Sequence, residues 1–118
     1  INFATHFDSG VDTDVVEEAV KRKMGVIALK ALAKQRWPNR QARKEYPKCW
    51  YQPVDDPDLA RKALAWTLSQ PVAVAIPPGD ESLWRLAVRL GPEVESITPD
   101  VTQDLRQLTA TIKPIFHA

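Results

Sequence analysis

The chain of 118 residues contains a single cysteine, Cys49, and can therefore form no disulfide within itself. One cysteine and two distant histidines, His6 and His117, do not make a metal-ligand set either. No apolar run approaches the roughly 18–20 residues that a membrane-spanning helix needs, and no signal-peptide pattern opens the sequence. Charge of one sign is missing as well. With 16 basic against 15 acidic residues the formal net charge is +1, which selects neither nucleic acid nor a membrane surface as partner. Methionine occurs once, at Met24, and the sequence opens on Ile1. The expectation from these features is a cytoplasmic protein and a processed or truncated piece of a larger one.

What is present is the composition of one folded domain, with 44% hydrophobic and 26% charged residues. Ten prolines punctuate it clearly. Three short apolar runs read as strands: Ile1 to Ala4, Val26 to Leu29, and Val72 to Ile76. None alternates polar with apolar, which is the pattern of a parallel sheet covered on both faces. Helix-period stretches follow each run. Val15, Val16, Ala19 and Val20 form a stripe in a segment starting near Asp12 or Thr13. Asp56 reads as an N-cap with Pro57 at the first helical position, ahead of the stripe Ala60, Ala63, Leu64, Thr67 and Leu68. Leu83, Leu86, Ala87 and Leu90 follow the i, i+3, i+4, i+7 rule. A last helix starts at Thr98 and Pro99 and buries Val101, Leu105, Leu108 and Ile112.

The order is then β-α-β-α-β-α-α, which predicts an α/β fold with parallel strands joined by crossovers. A closed (β/α)₈ barrel takes about 250 residues, or roughly 30 per unit, so this chain matches about three parallel βα units plus a C-terminal helix. Three strands leave two open edges, a liability in a free-standing domain. The expected state alone is a marginal or self-associating chain.

Parallel α/β folds bind ligands at the carboxyl ends of their strands. That rule selects Thr5, His6 and Asp8, then Lys30 and Ala31, then Pro77, Pro78 and Gly79. Lys30, Gly79, Ser82 and Arg85 are spaced to hold a phosphate at a helix N-terminus. Against this, Asp80 and Glu81 already complement that helix dipole, and a plain Pro-Pro-Gly turn explains the same residues. His6 could act as an acid–base group oriented by Asp8, with no nucleophile linked to it. Arg85 and Arg89 could share an anion or form a solvated face, and Trp66 and Trp84 read as packing residues.

The connection from Ala33 to Asp56 is too long for a plain link. Lys34, Arg36, Arg40, Arg43, Lys44 and Lys48 face one acid, Glu45, with Trp37, Tyr46, Trp50 and Tyr51 interleaved. Three readings apply: a surface loop pinned by its own aromatics, a lid over a nucleotide, or a single-strand binder. The balanced overall charge argues against nucleic acid.

The segments MGVIALKALAK, KEYPKCWYQP, ALAWTLSQPVAVAIPPGDESLWRLAVRL and TPDVTQDLRQL resemble, in order and over most of the chain, the C-terminal portion of a bacterial aldo/keto reductase. ALAWTLSQPVAVAIPPG is the most specific of them, similar to the family's seventh helix running into its eighth strand and cofactor loop. The resemblance implies that residues 1–118 are a partial TIM barrel, strands six to eight, from an NADPH- or NADH-dependent carbonyl reductase acting on a carbonyl substrate. The family's catalytic tyrosine, lysine, aspartate and histidine come from the first half of the barrel, so no catalytic residue is assigned to this chain, Tyr46 and Tyr51 included.

What the resemblance carries over is cofactor contact, at Lys30, Ala31, Pro77, Pro78, Gly79, Ser82 and Arg85. Leu29 stands where many members stack an aromatic ring on nicotinamide, and Ala87 with Val88 stand where they often place a Glu-Asn pair. The expected partner is an N-terminal barrel half or a second copy. The alternative function is a non-enzymatic half-barrel that self-associates or complements another chain.

Overall fold

A computed structural model describes residues 1–116. Its first element departs from the sequence expectation. Ile1 to Ala4 is not a strand, because Asn2, extended at φ −155° and ψ 156°, caps a helix α1, Phe3–Asp8. The Asn2 side-chain oxygen accepts the Thr5 N–H at 3.0 Å. A four-residue apolar run has no periodicity of its own, and a capping asparagine with tertiary burial decides for helix. Phe3, Ala4 and Thr5 are buried. Only the entry to α1 lies along the sheet, where the Ile1 amino group donates to the Leu29 carbonyl at 3.3 Å.

Helix α2, Thr13–Lys21, starts where expected but buries none of its residues. The other two expected strands form. β1, Ile27–Leu29, omits Val26 from the expected run. The long connection then folds into β2, Ala33–Gln35, a single turn α3, Arg40–Arg43, and β3, Gln52–Pro53. β2 and β3 pair antiparallel, and the Gln35 amide donates to the Gln52 side-chain oxygen at 2.6 Å.

Helix α4, Pro57–Ser69, begins as predicted, with the Asp56 carboxylate accepting the Leu59 N–H at 2.8 Å and Pro57 in the first turn. Ala60, Ala63, Leu64 and Thr67 are buried as expected, with Ala65 and Trp66, whereas Leu68 faces outward. β4, Val74–Ile76, pairs parallel with β1 in the register Ile27–Val74, Ala28–Ala75, Leu29–Ile76. Helices α5, Glu81–Leu90, and α6, Pro99–Thr109, follow. Leu83, Ala87 and Leu90 of α5 and Leu105 of α6 are buried, with Leu86, Val101, Leu108 and Ile112 packed partly against the same core.

That core lies among α1, α4, α5 and α6 and is filled by Phe3, Leu32, Val54, Leu64, Trp66, Leu90 and Leu105. The Arg106 guanidinium lies 4.4 Å over the Phe7 ring and holds α6 to α1. The Cα radius of gyration, 13.8 Å, is close to the roughly 13.5 Å of a compact chain this long, so the elements pack as one body. The β1–β4 sheet is covered on one face only. Ala28 is buried, while Ile27 and Leu29, on the opposite face, are 62% and 51% exposed.

Leu105→Ala should lower unfolding free energy by about 2–5 kcal/mol in urea titrations, through lost burial and a residual cavity. Asn2→Ala should cost about 1 kcal/mol, the usual worth of a helix N-cap, and a change near zero would argue for an extended segment at Ile1 to Ala4 instead.

Candidate functional site

The register of the parallel pair brings residue 30 and residue 77 to the same end of the sheet. There the chain forms a groove of about 220 Å³ lined by Leu29, Lys30, Lys48, Cys49, Trp50, Tyr51 and Ile76 to Gly79. The elements on each side are those that sequence reasoning paired: the end of β1, the Pro-Pro-Gly turn after β4, and the basic-aromatic connection. The connection is fixed as well as folded. Asn39 caps α3 by accepting the Ala42 N–H at 2.8 Å, and the Trp37 indole N–H donates to the Cys49 carbonyl at 2.8 Å. Tyr46 donates its hydroxyl to Asp55 at 3.1 Å.

Lys30 adopts φ 64°, in the left-handed region that a side chain with a Cβ rarely takes. Its ammonium group lies 5.7 Å from the ring centres of both Trp50 and Phe116. This contact between cation and aromatic faces ties the end of β1 to the long connection and to the C-terminal segment. Trp50 in turn meets Tyr51 and Phe116 edge-on, at 5.3 and 6.1 Å between ring centres.

The seven expected cofactor residues separate in space. Lys30, Pro77, Pro78 and Gly79 line the groove. Ala31 does not, because its side chain is fully buried in the core. Ser82 gives its hydroxyl and its N–H to Asp80, at 2.5 and 2.9 Å. The Asp80 carboxyl is held below its ordinary range, first by the Ser82 hydroxyl and then by the Leu83 and Ser82 N–H groups. The first turn of α5 is thus satisfied from within. Arg85 pairs with Glu81 at 2.6 Å. It lines a second, adjoining groove together with Lys48, Gly79, Glu81, Trp84, Val88 and Arg89. Lys48 and Gly79 belong to both grooves, so the two are continuous across these residues.

Trp84 is a correction to its reading as a packing residue. It is exposed on the second groove, whereas Trp66 is buried in the core as expected. His6 is oriented by Asp12, with 3.2 Å between Nδ1 and Oδ1, in place of Asp8. Helix α1 turns between residues 3 and 8, and the Gly10 bend at φ 64° returns Asp12 toward the ring. His117 falls outside the described residues. Lys48, Cys49, Trp50 and Tyr51 were legible as part of a lid but not as individual lining residues. No group of three metal-ligating side chains occurs among the described residues, and no described helix is long and apolar enough to cross a membrane.

Burial pushes the Tyr51 phenol up to about 12, and burial together with the neighbouring Asp55 carboxylate does the same for Tyr46. Burial also raises the Cys49 thiol. A phenol whose proton is held so tightly is a poor proton donor at neutral pH, and a thiol raised in this way is a poor nucleophile. Two lysines, Lys30 and Lys48, line the groove together with the Trp50 and Tyr51 side chains. Compared with family models, curated proteins and solved structures, the chain matches none of them.

A raised phenol pKa in the folded state favours folding below the unfolded value near 10 and loses that contribution as pH rises to about 12. The ultraviolet phenolate absorbance of the native protein should therefore appear near 12 for both tyrosines, and stability should fall across that interval. Titration of either near 10 in the folded protein would contradict its environment. At Gly79 an added Cβ meets no atom within 4 Å, so Gly79→Ala should leave the unfolding free energy in urea titrations unchanged within about 0.5 kcal/mol.

Proposed function

We propose that this chain is the dinucleotide-binding portion of an NAD(P)H-dependent carbonyl reductase of the aldo/keto reductase type, and that it is inactive alone. One observation supports the reading above the others. The residues at the carboxyl ends of two adjacent parallel strands, Lys30 and Pro77 to Gly79, line one groove beneath an aromatic and basic connection. Ligands of parallel α/β folds bind at that end of the strands. In this reading Lys30 and Lys48 face the pyrophosphate, and the adjoining groove with Trp84, Arg85 and Arg89 takes the adenosine side. The sequence resemblance points the same way. A bound dinucleotide would supply the hydride, and the residues here would position it. The tyrosines on this chain supply no proton for carbonyl reduction.

The chain should quench NADPH or NADH fluorescence weakly but saturably, and turn over no aldehyde or ketone. Lys30→Ala removes a charge-assisted phosphate contact worth about 1.5–3 kcal/mol, so affinity should fall on the order of 10- to 100-fold. Arg22→Ala, at an exposed cation that lines neither groove, should leave affinity within a few-fold. Absence of dinucleotide binding by a chain shown to be folded, or binding indifferent to Lys30, would overturn the assignment.

A second reading rests on a different observation. The outward face of the β1–β4 pair shows Ile27, Leu29 and Val74 to solvent, and parallel sheets occur almost only with both faces covered. On this reading the chain is a non-enzymatic half-barrel that pairs through this face with a second copy. Sedimentation velocity separates the two: concentration-dependent dimers abolished by Leu29→Lys favour it, and a dilute monomer that binds NADPH removes it.

A further inference from the structure

Helix α2 is the element least committed to the rest of the fold. It buries no residue, and Val15 and Val20 are 71% and 51% exposed. Left-handed backbone stands on both sides of it, Gly10 at φ 64° and Lys23 at φ 55°. Beside its apolar stripe lies a cavity of about 400 Å³, walled by Ile1, Val16, Val20 and Pro71, carrying His6 and Asp12, and edged by the polar side chains of Thr13, Glu17, Lys21 and Gln70. Small-molecule sites have volumes of this order, with apolar walls and a few fixed polar groups.

The polar end is built by packing as well as by hydrogen bonding. His6 is held by Asp12 on Nδ1, with its ring 5.0 Å from that of Trp66 and 5.4 Å from that of Phe7. A carboxylate on Nδ1 places the proton of a neutral imidazole on that nitrogen and leaves Nε2 as an acceptor. Asp12 has no second commitment: its other oxygen, Oδ2, is buried without a partner. An anion is disfavoured here, because two carboxylates, Asp12 and Glu17, stand at the wall against one ammonium, Lys21.

We propose that this cavity binds a small, uncharged, mainly apolar molecule carrying one hydroxyl, of the class of aromatic alcohols. The hydroxyl donates to His6 Nε2 while the ring lies against Val16 and Val20. The cavity shares no lining residue with the groove at the strand ends, so this proposal stands apart from the dinucleotide reading. The other candidate occupant is an apolar side chain of a second copy, and the test separates the two.

The experiment titrates the 118-residue chain with phenol and, separately, with toluene. Nuclear magnetic resonance follows the His6 ring and the Val16 and Val20 methyl groups at two protein concentrations. Saturable shifts in all three residues are expected, with phenol bound about tenfold more tightly than toluene, the worth of one hydrogen bond. His6→Phe keeps a ring against Trp66 and should bring the two affinities together. Asp12→Asn should narrow the difference, and Val16→Trp should fill the cavity and abolish both titrations. Shifts that never saturate, equal affinities in the unsubstituted chain, or a phenol preference that survives His6→Phe would each overturn the proposal. So would cavity signals that move with protein concentration before any probe is added, since a second copy then occupies the space. Should His6→Phe disturb the circular dichroism spectrum, the phenol-to-toluene ratio and Asp12→Asn decide.

Discussion

Three residues of β1 lying parallel to three of β4 are the constraint on which the remaining architecture depends. Parallel neighbours cannot be joined by a tight turn, so everything between Lys30 and Ala73 must serve as their crossover. That segment includes the β2–β3 pair and α4, which packs against both β4 and the helices α1, α5 and α6. The Ala73 N–H, bonded to the Val26 carbonyl at 2.8 Å, extends the pairing one step toward the start of the strands. At the other end the same register sets Lys30 beside the Pro77 to Gly79 turn. A groove forms there because the two strands end together and the crossover returns over them.

The same pairing explains why one face of the sheet remains apolar and open. Ala28 is small and faces the helices, so that α4 can approach closely, whereas Ile27, Leu29 and Val74 point away from all six helices. Burying a large aliphatic side chain is worth about 1.5–3 kcal/mol relative to leaving it in water. Three such side chains on one small sheet amount to a surface with a strong tendency to be covered. A dinucleotide held at the strand ends, as proposed, would not cover it. The two proposed functions therefore draw on different parts of one element, its end and its face.

Helix starts with a local chemical signature were legible in the sequence. Asp56 with Pro57 and Thr98 with Pro99 cap where they were expected to, whereas Asp80, read as part of an acidic first turn, stands just ahead of that turn as the cap. β1 and β4 were legible as continuous apolar runs, and their parallel direction followed from the helix between them. The Ile1 to Ala4 run misled because four apolar residues suit a buried strand and a buried helix equally. Its helical outcome was set by the Asn2 cap and by the pocket that receives Phe3. Helix α2 misled in the opposite sense: its stripe predicted burial, but nothing among the described residues packs closely over Val15 or Val20. The partner of His6 was illegible for a geometric reason. Asp8 is nearer in sequence, but it lies on α1 itself, and only the left-handed bend at Gly10 brings Asp12 back to the ring.

Lys30 joins fold and site most directly. A non-glycine residue in the left-handed region costs on the order of 1 kcal/mol or more, and it persists only where the surroundings hold it. The groups that hold it are two aromatic rings, each centred 5.7 Å from its ammonium, and the Ala33 N–H bonded to its carbonyl at 2.9 Å. A glycine would take the same backbone without strain, and a hydrophobic residue would meet the rings equally well. Neither would place a cation at the carboxyl end of a parallel strand. The strain, the aromatic contacts and the position agree on one outcome, a positive charge held at the mouth of the groove, which is what the proposed dinucleotide reading needs.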